Sequence, residues 1–193
     1  MSNINLNELR DRAYKTACEH GFHDKELSNE HHLCLIVGEL MEAVEADRKG
    51  KRADRESFKS SYDDEEPHDD ANFKYCFEKY IKDTISDELS DAVIRLLDLA
   101  GLRGISLESA SNDINSEYMD DIACMYSQLS FTEAIYSIFT KPIVDYQYLS
   151  TIINEMIFSI FALAKHLDID LLWHIEQKQR YNELRPKLNG KKY

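Results

Sequence analysis

The sequence is short of chain breakers, with 6 Gly and 3 Pro in 193 residues. No stretch of useful length alternates apolar and polar residues, so a sheet protein built on many tight turns is excluded. Only 4 Cys occur. They are Cys18, Cys34, Cys76 and Cys124, and no two form a Cys-x-x-Cys pair. A thiolate zinc site or dithiol redox motif is therefore disfavoured, and reduced thiols of a cytoplasmic protein are expected. No apolar run approaches the ~20 residues that span a bilayer, and the polar stretch Met1–Glu8 does not read as a signal peptide. Bases are few: 23 Lys and Arg stand against 36 Asp and Glu, for a net charge of −13. Such a chain repels a phosphate backbone, so a nucleic-acid polymer is not an expected partner. A small phosphorylated ligand stays open, because a bound metal reverses the local field. Gly-x-x-x-x-Gly-Lys-Ser/Thr and Gly-x-Ser-x-Gly are both absent, as are internal repeats and a heptad run.

What is present is helical. Composition is that of a folded domain, 43% hydrophobic and 31% charged, and the length suits one all-α domain over residues 1–193. Apolar positions recur at three- and four-residue spacing. The pattern predicts helices over Asn5–Glu19, from a Ser28 cap to Lys49-Gly50, and over Asn72–Gly101 with a bend near Lys82–Ser86. Glu117–Lys141 is helical and divisible at a Ser130–Glu133 capping box, and Pro142 is expected to break it. Tyr146–His166 is the most apolar helix, suited to a central or subunit-interface position. Asp170 is expected to cap a last helix reaching Pro186. Between Lys51 and Ala71, the run Asp63-Asp64-Glu65-Glu66-Pro67-His68-Asp69-Asp70 predicts an exposed, mobile acidic loop.

Two carboxylate pairs lie inside apolar helical sequence: Glu39-Leu40-Met41-Glu42 and Glu88-Leu89-Ser90-Asp91. Their i, i+3 spacing places both acids of each pair on one helix face. On helical wheels Glu39 and Glu42 stand beside an apolar face of Leu33, Ile36, Val37, Leu40, Met41 and Val44. Glu88 edges a face of Ile85, Leu89, Ala92, Val93 and Leu96. If the helices pack antiparallel, four acids meet at the edge of the core. Half-buried acids need a cation or hydrogen-bond donors, and an all-oxygen set suits magnesium or manganese. A di-iron bundle would use Glu-x-x-His pairs on facing helices. Here only Glu65 and His68, straddling Pro67, have that spacing. Glu45 with Asp47, and Glu26 with Glu30, read as solvated faces.

The last helix carries His174, Lys178, Tyr181, Asn182 and Arg185 along one side, followed by a basic tail over 186–193. Lys and Arg suit phosphate oxygens, and Asn and Tyr suit a sugar or base. Complementation of the helix dipole is the plainer account, and is preferred for Lys187, Lys191 and Lys192. Trp173 reads as a packing anchor, Cys34 as core, and Asp98 as a surface partner of Arg95.

The strings Val37-Gly38-Glu39-Leu40-Met41-Glu42-Ala43 and Asp87-Glu88-Leu89-Ser90-Asp91-Ala92-Val93 resemble the signature of the all-α nucleoside triphosphate pyrophosphohydrolases, the MazG-like and dimeric dUTPase-like superfamily. The stretch from His174 to Lys192 is similar to the tail of MazG-like proteins. The resemblance implies a MazG-like helical bundle that hydrolyses a nucleoside triphosphate to the monophosphate and pyrophosphate. It implies Mg2+, with Mn2+ as the substitute, held by Glu39, Glu42, Glu88 and Asp91, and substrate contacts from Lys178, Asn182 and Arg185. Glu39 or Glu42 would align the attacking water. A homo-oligomer, dimer or tetramer, is implied. The stretch between Glu42 and Glu88 is longer than in compact members of the family, which makes the acidic loop a lid or an insertion. The rival is a non-catalytic helical nucleotide-binding or scaffold module.

Overall fold

The computed structural model describes residues 4–62 and 69–190. Among them are ten α-helices, a terminal 3-10 turn and no strand, so the protein is all-α as expected. α1 (Leu6–Glu19) begins on Asn5, whose side chain accepts from the Asn7 N–H. α2 (Asn29–Arg48) begins on Ser28, whose hydroxyl accepts from the His31 N–H at 3.2 Å. Gly21 (φ 78°) and Gly50 (φ 65°) follow them in the left-handed conformation that a side chain would oppose.

The segment 51–71 is not all loop. α3 (Arg55–Ser61) forms there, capped by Asp54, with Phe58 2% exposed and Tyr62 5% exposed. Two aromatics at i, i+4 spacing share one helix face, and the neighbouring acids outweigh that signal in a composition count. The acid-rich stretch 63–68 lies outside the described residues. α4 (Asp70–Tyr80) follows, and its Phe73 and Phe77 join Phe58, Tyr62, Cys76, Ile81 and Tyr181 in a small second core. Trp173 closes that core edge-on to Phe58, with the Arg55 guanidinium 4.4 Å from its ring centre.

The expected bent helix is two helices. Asp83 (φ 58°) separates α4 from α5 (Ile85–Leu102), and its N–H donates to Asp87 Oδ2 at 2.9 Å. After α5 come α6 (Glu108–Ile114), which the sequence pattern did not reveal, and α7 (Tyr118–Tyr126). α8 (Phe131–Asp145) starts on the expected Ser130–Glu133 capping box. Pro142 does not break it. The ring sits in the last turn, where the carbonyl that loses its N–H partner is close to the helix end, and Tyr146 N–H closes the helix onto Pro142 O. α9 (Leu149–His166) and α10 (Leu171–Glu183) complete the chain, the latter capped by Asp170. The tail continues as a 3-10 turn over Lys187–Gly190, and Lys187 pairs with Asp24 at 2.8 Å.

α5 is the central helix and packs against α1, α2, α9 and α10. It runs antiparallel to α2: Arg103 at its end bonds Leu27 O and Asn29 Oδ1, while Ile85 N–H at its start bonds Lys51 O. Gly101 permits the close approach of α1, since a Cβ there would lie 2.5 Å from Tyr14 Cβ. All four cysteines are free, and Cys34 is exposed rather than core because it points away from α5. No helix of the described residues is long and apolar enough to cross a membrane.

Candidate metal centre and adjoining cavity

α2 buries Ile36, Glu39, Leu40, Ala43 and Ala46. This face is turned from the expected one: Met41 is 43% exposed and Glu39 only 6%. The small Ala43 and Ala46 let α2 lie close on α5, and they carry Glu39 into the contact. A carboxylate so placed needs a donor. Arg95 supplies it, with Nε 2.5 Å from Glu39 Oε1. Arg95 therefore does not pair with Asp98, which instead bonds His23 Nε2 at 2.7 Å.

Glu39, Glu42 and Glu88 each offer an oxygen, and the three atoms lie within 4.8 Å of one another. Glu42 is exposed; Glu88 is 5% exposed, and neither side chain has a hydrogen-bond partner among the described residues. Burial, then the charges of Asp87 and Asp91, push the Glu88 carboxyl up to about 8. Burial, then Asp91, also raises Glu39, against the pull of Arg95. Three carboxylates with surplus negative charge and no internal proton donor beyond Arg95 form an oxygen-only set that can hold a metal ion. A second group, Asp83, Asp87 and Glu88, shares Glu88 with the first.

Asp91 enters neither group. Its Oδ2 lies 2.8 Å from Lys178 Nζ, and the same ammonium lies 2.8 Å from Asp87 Oδ1. Lys178 is 3% exposed, and the two acids hold it in its charged form. Burial pushes the Asp87 carboxyl up to about 6 against the attraction of Lys178. Lys178 is thus an internal counter-ion linking α10 to α5. Asp87 is the residue the sequence reading passed over, although its four-residue spacing from Asp91 places both on one face.

Asn182 and Arg185 stand elsewhere, lining a cavity of about 110 Å³ between α1, α2, α5 and α10. Glu39, Asp91 and Arg95 line the same cavity, so it adjoins the carboxylates. Gln179, which no motif singled out, also lines it. The other members of the basic stripe face away. Tyr181 donates to Glu78 Oε1 at 2.8 Å. His174 packs on Trp173, and burial, then Arg55, lowers it to about 4, which leaves it neutral.

No protein-family model, curated protein or solved structure matches the chain.

Proposed function

We propose that the protein is a metal-dependent nucleoside triphosphate pyrophosphohydrolase of the MazG-like kind, acting on a nucleoside triphosphate to release the monophosphate and pyrophosphate. The observation that carries this reading is the meeting of Glu39, Glu42 and Glu88 between antiparallel α2 and α5, beside a cavity lined by Asn182 and Arg185. Three carboxylates fit a hard divalent cation, Mg2+ or Mn2+. Such an ion, when bound, supplies neutralisation of charge at the phosphate oxygens.

The chain's own groups do the rest. Arg95 fixes the Glu39 carboxylate from one side. Glu42 is exposed and has no partner among the described residues, so its carboxylate is available to align a water and take its proton. The water oxygen bonds to phosphorus as the bridging phosphorus–oxygen bond between the α and β phosphates breaks, and pyrophosphate leaves. Lys178 acts from behind: it holds Asp87 and Asp91 and so positions α5, rather than reaching an open phosphate. Asn182 and Arg185 contact the nucleoside side of the substrate. Exposed Ile143, Val144, Tyr146 and Tyr148, around the α8–α9 junction, support a homo-oligomer.

The test is a panel of ribo- and deoxynucleoside triphosphates incubated with magnesium or with a chelator, with monophosphate and pyrophosphate quantified. Magnesium-dependent release is expected, and Glu42→Gln should lower it by about two orders of magnitude or more, as loss of a positioned acid or base does. Release from no nucleotide by folded protein would sink the enzyme reading in favour of a nucleotide-binding module.

A further inference from the structure

The cavity beside the carboxylates has the size and the unpartnered atoms of a selective ring pocket. At about 110 Å³ it approaches the cavity of about 150 Å³ that takes a benzene molecule, so a single six-membered ring is nearer its size than two fused rings. Phe22, Leu27, Leu35 and Ile94 supply apolar wall. The wall's acids are already paired: Glu39 with Arg95, Asp91 with Lys178, and Asp98 with His23.

Apart from Arg185 at the wall, what remains is neutral and includes buried acceptors. Gln179 is 2% exposed, and its Oε1 has no hydrogen-bond partner. Its orientation is set by its own amide, because Nε2 donates to Leu9 O at 3.1 Å. The free atom is therefore the oxygen, which can only accept. Asn182 Oδ1 is a second buried acceptor without a partner, and His32 Nε2 a third unpartnered polar atom. Folded proteins seldom leave such groups unpaired, and the fixed Gln179 oxygen points to a ligand that donates.

We propose that this cavity binds an amino-bearing pyrimidine, cytosine among the nucleobases, with the exocyclic amino group donating to Gln179 Oε1. The inference rests on the hydrolase reading only for taking the ring as part of a nucleotide. A uracil or thymine ring presents a carbonyl where cytosine presents the amino group, and that sets acceptor against acceptor.

The experiment is calorimetric titration of the full chain with CMP, UMP and AMP in chelator, repeated on Gln179→Met, with the triphosphate panel run alongside. CMP should bind at least about tenfold more tightly than UMP or AMP, as expected where a buried acceptor would otherwise lose its donor. In folded Gln179→Met the CMP-to-UMP ratio should fall to within about twofold. Equal affinities in the wild type, binding of none of the three, or an unchanged ratio in the variant would overturn the pocket. The wild-type ranking stands as a test even if the variant fails to fold. CMP-selective binding without hydrolysis of any triphosphate keeps the pocket and removes the hydrolase reading. Hydrolysis without preference for the amino-bearing pyrimidine does the reverse.

Discussion

Glu88 should make the stability of the protein fall as pH rises, and a divalent cation should reverse the fall. Its carboxyl is raised from 4.5 to about 8 by burial and by Asp87 and Asp91. The folded state therefore prefers Glu88 protonated. Its stabilising share is fully present below pH 4.5 and is lost as pH rises through about 8. At about 1.4 kcal/mol per pH unit the full loss is about 5 kcal/mol. Relaxation and water penetration around the buried acid reduce this to about 2 kcal/mol. For a domain of this size that is roughly 4–8 °C in Tm. The assay is thermal unfolding from pH 5 to pH 8.5 in chelator, for the wild type and Glu88→Gln, then again with magnesium. Wild-type Tm should drop across that window by roughly 4–8 °C more than the variant's. Magnesium should recover the wild type at pH 8.5 and leave the variant nearly unmoved. Parallel pH profiles would refute the argument that burial and neighbouring acids hold the proton on Glu88. Equal stabilisation of both proteins by magnesium would refute the assignment of Glu88 as a ligand.

Two further predictions concern the frame around the site. Lys178→Met leaves Asp87 and Asp91 without their shared cation, and should cost about 3–5 kcal/mol in urea unfolding. Adding Asp87→Asn should recover part of that loss, and an additive double variant would show that the two do not interact. Two helical glycines, Gly38 inside α2 and Gly101 in the last turn of α5, should respond to alanine with opposite sign. Gly38→Ala, where a Cβ meets nothing within 4 Å, should stabilise by about 0.5–1 kcal/mol. Gly101→Ala, where the Cβ would lie 2.5 Å from Tyr14 Cβ, should destabilise by about 1–3 kcal/mol through displacement of α1. Chemical denaturation of each variant distinguishes the two signs.

The sequence by itself determined the helical class and most helix starts, because these depend on residues a turn or two apart. Ser28, Asp170 and the Ser130–Glu133 box each satisfy N–H groups in their own first turn. It also placed Glu39 with Glu42, and Glu88 with Asp91, on one face of their helices, since i, i+3 spacing inside apolar sequence is a local pattern; that the two helices meet is tertiary. Tertiary structure alone decided how each acid is used. Glu39 faces the core because α2 turns its alanines to α5, and it finds Arg95 56 residues away. Lys178 reaches Asp87 across 91 residues, which draws Asp91 out of the carboxylate triad and Lys178 out of reach of solvent. The burial of Phe58 under Trp173, and the cavity where Gln179 keeps an unpartnered oxygen, likewise require helices distant in sequence to be docked. Local periodicity says which side chains share a face; which face is buried, and against what partner, is settled by packing free energy summed over the whole chain.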